Sequence, residues 1–214
     1  MYNPSHFRET RPDVLRDFVN RFPLAMLIAI TPEGISANQV PVLWQADAGS
    51  LGLLQGHIAR ANPLWRGVAA GSAVLALFTG PQHYISPSWY PSKREHGNVV
   101  PTWNYSSVQI RGTIRFVDDP AWLRRLVASL TEQHEQQRQQ PWRIVDAPAD
   151  YVDDMLRAIV GFEIDVTAAE GKFKASQNRP AADRVAVAAA LRAEGLSADE
   201  VAQLAPPPDL PQAR

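Results

Sequence analysis

Apolar residues in this chain are grouped into short segments of two kinds, which predict strands and helices respectively. Segments of the first kind are continuous or alternate with polar residues, as expected for buried and half-buried strands. The first two are separated by Thr31-Pro-Glu-Gly34, where proline and glycine suit a tight turn, so they predict a hairpin. A further turn is predicted over 47–50. Strands are predicted over residues 24–30, 35–44, 51–55, 73–79, 107–117 and 161–166.

Segments of the second kind repeat their apolar residues at helical spacing and begin with residues that cap helices. Pro12 suits a first helical turn after Thr10, Asp119 precedes a proline in the same way, and Ser197 forms a capping box with Glu200. Helices are predicted over residues 12–21 and 58–70, from residue 120 onward, over 150–159, and over 183–204 with a break at Gly195.

The order of these elements favours an antiparallel barrel with helices packed outside it. Five or six short strands follow one another with few helices between them, whereas a parallel α/β sheet needs a helix after nearly every strand. The segment from 81 to 101 is rich in proline and aromatic residues and shows no clean period. A long structured loop of this kind is usually functional.

Composition excludes several classes of protein. The 214 residues include no cysteine, which rules out a disulfide framework, thiolate metal ligands and a cysteine nucleophile. A net charge of -1 gives the whole chain no electrostatic attraction to nucleic acid or to an anionic membrane. No apolar run approaches the ~20 residues of a membrane span, and the N-terminus does not resemble a signal peptide, so a cytoplasmic location is expected.

Four dense blocks of polar and aromatic residues are the candidates for a site. They cover residues 56–63, 84–90, 100–105 and 171–178. Each places hydrogen-bonding side chains beside rings, proline or glycine, a mixture that neither a core nor a solvated loop requires. The chain's only lysines, Lys93, Lys172 and Lys174, lie in or beside these blocks, by function or by chance.

The first block places His57 and Arg60 where a strand is predicted to end and a helix to begin. Free backbone N–H groups at a helix start favour anions, and an arginine adds a bidentate fork for a phosphate. A phosphate pocket is one interpretation. A pair of surface residues at a helix start is the other, because the block is not a P-loop and the chain contains no Gly-x-Gly-x-x-Gly.

The second and third blocks supply aromatic rings with serine, asparagine and Lys93 nearby. Flat heteroaromatic ligands bind by stacking and by hydrogen bonds to their edges, so these blocks could hold a nucleobase or a flavin ring. A hydrophobic dimer interface would use the same residues, and the two interpretations are compatible.

Three other site types receive little support. The five histidines show no i, i+4 pairing and no His-Glu-x-x-His, so no metal site is predicted. No Gly-x-Ser-x-Gly elbow is present for a serine hydrolase. The two C-terminal helices have the outline of a helix-turn-helix, but the second carries two acids and no base, which favours a packing role over DNA binding.

Taken in order, the blocks resemble the PaiB-type family of FMN-binding negative transcriptional regulators, whose members are similar to pyridoxamine-phosphate-oxidase-like split barrels. The resemblance begins in residues 1–7, includes 38–41, Gly80-Pro81 and 159–164, and ends at Arg179. It implies a six-stranded antiparallel split β-barrel, homodimeric, that holds FMN in clefts at the subunit interface. Residues 1–180 would form this FMN-binding domain, and residues 181–214 a helical C-terminal appendage and tail.

The resemblance also implies cofactor-binding residues. His57, Arg60 and Asn62 would lie near the cofactor phosphate, with Asn38 and Gln39 on the adjacent strand. Asn38 departs from the pattern, since a more basic residue or a histidine is expected there, and a different set of phosphate contacts is therefore expected. The residues expected around the ring, at the neighbouring subunit's edge or closing the site from the C-terminal strand are Ser86, Lys93, Trp103, Tyr105, Lys172 and Gln177.

Three functions follow from the sequence as hypotheses. The first is an FMN-binding cytoplasmic regulator that acts indirectly through flavin or redox state. The second is a flavin-dependent oxidoreductase acting on a small molecule, for which no catalytic residue can be named. The third is a repressor that contacts DNA directly, which the acidic last helix disfavours.

Overall fold

The computed structural model describes residues 1–45 and 51–208 of the chain. Within these residues the strands are β1 (Arg8–Glu9), β2 (Leu24–Thr31), β3 (Gly34–Gln45), β4 (Leu53–Ala59), β5 (Ser72–Ile85), β6 (Thr102–Val117) and β7 (Ile159–Lys174). The helices are α1 (Pro12–Arg21), α2 (Leu64–Gly67), α3 (Ser92–His96), α4 (Pro120–Glu135), α5 (Ala149–Arg157), α6 (Ala181–Ala193) and α7 (Ala198–Leu204). Short 3₁₀ helices lie at Ser5–Phe7, Pro87–Trp89 and Ile144–Asp146.

The described strands form one mainly antiparallel sheet. Their order is β1-β7-β4-β3-β2-β5-β6, and β7 also pairs with β6, which closes the sheet. Every pairing with a recorded register is antiparallel, including the β2–β3 hairpin in which Thr31 faces Gly34. The barrel class expected from the sequence is confirmed, and the strand that prediction missed is the two-residue β1.

Local capping signals account for the helices that the sequence placed well. The Asp119 carboxylate accepts a hydrogen bond from the backbone N–H of Trp122 at 2.7 Å, and α4 begins at the next residue, Pro120. Ser197 and Glu200 form the capping box of α7, with the Glu200 carboxylate 2.9 Å from the Ser197 N–H. These contacts satisfy N–H groups that a helix start leaves without partners.

Two element predictions were wrong because tertiary pairing overrides local pattern. The helix predicted over 58–70 is reduced to α2, since β4 pairs with β7 as far as Ala59 and so keeps that stretch extended. β5 continues through Gly80-Pro81 to Ile85 rather than ending there. Its recorded pairing with β2 ends at Leu77, so Pro81, which lacks an N–H, lies beyond that ladder. The turn predicted over 47–50 lies outside the described residues.

The chain folds into two compact units, each with its own buried residues. The first contains Met1–Phe18, Thr79–Gln109 and Glu170–Arg214, and the second contains Val19–Phe78 and Ile110–Ala169. In the first unit, α6 and α7 pack on the segment that ends β5, and their shared core is Ile85, Tyr90, Val187, Ala188, Leu191, Val201, Leu204 and Ala205. The division at residue 180 stays a prediction.

No helix in the described part of the chain combines the length and the apolar content needed to cross a membrane.

Candidate functional site

The candidate site lies in the second unit, where β3 and β4 stop pairing with each other. Their recorded ladder runs from Gln45 opposite Leu53 to Val42 opposite Gly56. The next residue of β3 is Pro41, which has no N–H to continue the ladder. From Pro41 back to Gly34, β3 pairs with β2, whereas β4 is paired with β7 along its whole length. The recorded pairs between β3 and β4 therefore end at Val42 and Gly56.

A pocket of about 420 Å³ occupies the gap between the two strands. Its volume falls within the range of small-molecule sites, about 300–1,000 Å³. β3 contributes three consecutive residues and β4 three more. The lining consists of Asn38, Gln39, Val40, His57, Ile58, Ala59, Asn62 and Ile159. The pocket therefore combines apolar side chains with uncharged side chains that can donate and accept hydrogen bonds.

Two asparagines in the pocket are held by a short hydrogen-bond chain. Asn62 donates from Nδ2 to Oδ1 of Asn38 at 2.7 Å, and Asn38 donates from Nδ2 to the Ser36 hydroxyl at 3.0 Å. The Asn62 side chain also accepts from the backbone N–H of Leu64 at 3.0 Å, which anchors it to α2. These bonds fix the amide orientations before any ligand arrives, which lowers the entropic cost of binding.

His57 contributes a buried polar atom to the pocket that a bound ligand could pair with. Its Nδ1 atom is buried and has no hydrogen-bond partner among the described residues. Burial lowers the pKa of His57 below its ordinary value of about 6.5, so the imidazole is neutral at neutral pH. A buried polar atom without a partner costs about 1–3 kcal/mol, which a hydrogen bond from a bound molecule would offset.

Gly56, which precedes His57 in β4, permits close packing of β4 against its neighbouring strands. A Cβ at this position would lie 2.5 Å from Cζ of Phe162 and 2.8 Å from the carbonyl oxygen of Pro41. Both distances are shorter than real Cβ contacts, so any side chain would push β3 or β7 away. At the start of the first block, Gly56 is therefore required for packing, and His57 supplies a polar side chain to the pocket.

Arg60 does not line the pocket and is held by acceptors of the protein. Its guanidinium donates to both carboxylate oxygens of Asp118, at 2.8 and 2.6 Å. It also donates to the carbonyls of Arg157 at 2.6 Å and Ile159 at 3.0 Å. The paired arginine lowers the pKa of Asp118 and itself has a raised pKa. A phosphate contact by Arg60 would require this link to break, and its predicted role stays a prediction.

The other sequence-predicted residues lie in the first unit. Ser86 caps the 3₁₀ helix by accepting from the N–H of Ser88 at 3.2 Å. Lys93 lies in α3. The Trp103 ring is 54% exposed and meets the Tyr84 ring edge-on at 6.0 Å. This exposed pair suits either ring stacking or the expected dimer interface, and both uses stay predictions.

Lys172 lies near the end of β7, Gln177 follows that strand, and Tyr105 lies in β6. The Lys172 ammonium is 5.5 Å from the centroid of the Tyr105 ring. Gln177 braces the turn after β7, since its Oε1 accepts from the N–H of Ala175 at 2.7 Å and its Nε2 donates to the carbonyl of Phe173. Both polar atoms of the Gln177 amide are therefore used within the turn.

The structure thus brings Asn38, Gln39, His57 and Asn62 together in one pocket of one unit. Sequence reasoning missed the apolar half of that pocket, in particular Ile159, which enters it because β7 pairs with β4 at Ala59. The sequence analysis placed Ile159 at the end of a predicted helix, and its only sequence signal was that it begins the segment 159–164 of the family resemblance. No group of three or more histidine, aspartate or glutamate side chains within residues 1–45 and 51–208 is arranged to hold a metal.

Acid is expected to destabilise the second unit through His57. Because burial lowers the folded-state pKa of His57, the unfolded chain binds the proton more readily. The stability that depends on neutral His57 is present above about pH 6.5 and is lost as the pH falls through the lowered folded pKa. The measurement is urea unfolding from pH 8 to pH 5 for the wild type and for His57→Gln.

The wild type should take up at most about one more proton on unfolding than the variant in that window. Parallel pH profiles for the two proteins would contradict the assignment, since the carboxylates contribute equally to both.

Comparisons with known proteins add independent findings. Residues 1–168 match the family model described as "Putative FMN-binding domain". The chain is 31% identical to "Protease synthase and sporulation protein PAI 2" of Bacillus subtilis, over 95% of this chain and 96% of that protein. It is 36% identical to an uncharacterized protein of Aspergillus fumigatus, over 87% of this chain and 89% of that protein.

Solved structures that resemble this one show the fold alone. The FAD and heme binding protein from Mycobacterium smegmatis aligns with a TM-score of 0.55 and 17% identity, over 78% of this chain and 72% of that chain. The flavocytochrome Anf3 from Azotobacter vinelandii aligns with a TM-score of 0.57 and 12% identity, over 78% of this chain and 68% of that chain.

Proposed function

The chain belongs to the family of FMN-binding domains, and from this premise we propose that it binds FMN in the pocket between β3 and β4 and regulates gene expression without contacting DNA itself. The relative from Bacillus subtilis, whose name refers to protease synthesis and sporulation, supports a regulatory setting. When bound, FMN supplies one- and two-electron redox chemistry, which would let the protein respond to the redox state of the cell.

The observation that carries the proposal is the buried Nδ1 atom of His57, which has no partner among the described residues. FMN offers hydrogen-bond donors and acceptors on its ring edge and ribityl chain, either of which could satisfy this atom. Val40, Ile58 and Ile159 supply apolar contact for the flat ring.

Charge also favours the uncharged parts of FMN at this position. None of the side chains lining the pocket is a lysine or an arginine, and the imidazole of His57 is neutral. A phosphate dianion gains most from cationic donors. The pocket therefore suits the ring edge and the ribityl hydroxyls better than the phosphate, which revises the role that the resemblance implied for His57 and Asn62.

The C-terminal helices support an indirect mechanism. In a helix-turn-helix the second helix presents its exposed face to DNA. Here α7 buries Val201 and Leu204 in the core it shares with α6, and its first turn holds Asp199 and Glu200. α7 contains no lysine or arginine to neutralise phosphates, and its acids would repel them.

Removing the polar side chains of His57 and Gln39, which we propose to contact FMN, should weaken the binding of FMN. For His57→Leu/Gln39→Leu we expect FMN affinity to fall by at least about tenfold, since two hydrogen bonds of about 0.5–1.5 kcal/mol each are lost. The measurement is quenching of FMN fluorescence on titration with flavin-free protein, with circular dichroism to verify folding. The matched control is Arg124→Gln in α4 of the same unit, which should leave FMN affinity within about threefold, because Arg124 is paired with Asp153 and does not line the pocket.

Protein that takes up no FMN, or a double variant that binds as tightly as the wild type, would overturn the assignment of the pocket. The indirect mechanism has its own readout, which is retention of duplex DNA at low salt by the FMN-loaded protein. Salt-dependent retention would show that the protein contacts DNA directly.

A further inference from the structure

Three cationic residues follow one another at the end of β7 and in the segment after it, in the first unit. Lys172 and Lys174 are two residues apart on the strand, so their side chains leave the same face. Arg179 follows in the segment that leads to α6. We refer to Lys172, Lys174 and Arg179 as the β7 cation cluster. None of these three residues lines the pocket between β3 and β4.

Each member of the cluster is held by uncharged groups. Lys172 donates to the carbonyl of Tyr2 at 3.0 Å and lies 5.5 Å from the centroids of the Tyr2 and Tyr105 rings. Lys174 donates to the hydroxyl of Thr102 and to the carbonyl of Trp103, the latter at 2.7 Å.

Arg179 lies with its Cζ atom 4.8 Å from the centroid of the Tyr90 ring. Among the described residues none of the three is paired with a carboxylate. The cluster therefore has no direct carboxylate partner in the described part of the chain.

The arrangement affects the pKa of Lys174. Burial, and then the neighbouring charges of Lys172 and Arg179, lower the pKa of Lys174. Like charges held together without a counter-ion destabilise a fold, so an arrangement of this kind requires compensation. An anion at the cluster would reverse the repulsion and raise the pKa of Lys174 again.

The turn that carries Arg179 is held in a strained conformation. Ser176 has a φ of 60°, in the left-handed region that favours glycine, and it is buried. Its hydroxyl bonds the amide of Asn104 at 2.8 Å, and its carbonyl accepts from the N–H of Arg179 at 3.0 Å. Strain of this type persists where surrounding contacts enforce it, and it is concentrated at ligand sites.

We propose that the β7 cation cluster binds the phosphoryl group of a phosphorylated small molecule. Lysine and arginine donors matched to phosphate oxygens form the strongest class of hydrogen bond in proteins. The exposed Trp103 ring beside Lys174 offers a surface on which a flat portion of the ligand can stack. The phosphoryl group belongs to a ligand separate from the flavin proposed for the β3–β4 pocket. This inference goes beyond the proposed function, which uses none of these three residues.

The experiment measures the effect of inorganic phosphate on the melting temperature of the full chain, against sodium chloride at equal ionic strength. Phosphate should raise the melting temperature of the wild type, because a ligand that binds only the native state stabilises it. In Lys172→Gln/Arg179→Gln the apparent phosphate affinity should fall at least about tenfold. The matched control is Arg94→Gln/Arg192→Gln, which removes two exposed charges of the same unit and should retain the wild-type response.

A second arm uses protein loaded with flavin. If phosphate stabilises the FMN-loaded and the riboflavin-loaded protein equally, the cluster binds a phosphorylated ligand separate from the flavin. If phosphate stabilises the riboflavin-loaded protein but not the FMN-loaded protein, the inference of a separate ligand is overturned. Protein that binds neither flavin would refute the proposed function, while the phosphate titration of the flavin-free chain would still test the cluster. The inference is overturned if phosphate has no effect beyond chloride, or if the cluster variant responds like the control.

Discussion

Replacement of Gly112 by alanine should destabilise the second unit more than any other single-methyl addition considered for this chain. Gly112 lies in β6, and a Cβ there would be 2.2 Å from the carbonyl oxygen of Asp165 and 2.6 Å from Cγ2 of Ile164 in β7. The first of these atoms is backbone and cannot rotate away. The methyl group would force β6 from β7, the pair that closes the sheet.

We expect the free energy of unfolding to fall by about 3 kcal/mol or more, at the upper end of overpacking costs. The measurement is urea unfolding followed by circular dichroism. Gly67→Ala is the matched control, since its nearest neighbours, side-chain atoms of Pro32 and Thr31, lie at an ordinary 3.6 Å. That variant should remain within about 0.5 kcal/mol of the wild type. Equal stabilities for the two variants would show that β6 and β7 are less tightly apposed than described.

Loss of the Asp183 carboxylate should have the second largest effect. Asp183 is 1% exposed in the first turn of α6, where a negative charge also suits the helix dipole. Its two oxygens accept from the N–H of Ser92 at 3.1 Å and from the Ser92 hydroxyl at 2.7 Å. These bonds tie α6 to the start of α3 within the first unit.

Asp183→Ala leaves both donors of Ser92 buried without a partner. We expect a loss of about 3 kcal/mol, since each such group costs about 1–3 kcal/mol. Ser92→Ala alone should cost less, because the backbone N–H keeps its acceptor. The test is a double-mutant cycle by urea unfolding, in which the coupling energy should be about 1 kcal/mol or more. Strictly additive effects would mean that the two residues do not act through one another.

Local sequence signals were sufficient for elements whose ends are set by their own residues. The hairpin turn at Thr31–Gly34, the Asp119 cap and the Ser197–Glu200 capping box act within a few residues of the backbone they order. The same local reasoning failed for 58–70. There the apolar spacing suited a helix, but the pairing of Ile58 with Val160 of β7, a partner about a hundred residues away, kept the chain extended.

The same distinction between local and long-range information applies to the candidate site. The sequence by itself determined which side chains are available, since the four blocks contain His57, Asn62, Lys172 and Lys174 and the separate segment 38–41 contains Asn38, and it determined the absence of cysteine chemistry. Only the tertiary structure decided their use. The guanidinium of Arg60 could bind a phosphate or a carboxylate. In the structure it binds the carboxylate of Asp118, which lies 58 residues away in the chain.

Pro41 shows why the structure had to decide where the pocket lies. A proline in a strand removes one N–H wherever it occurs. Here it lies where the ladder between β3 and β4 ends, while β3 pairs with β2 and β4 stays paired with β7. A residue's chemistry is local and can be read from its type, whereas a pocket is made by strands distant in the chain. Their meeting depends on the burial and pairing of the whole sheet.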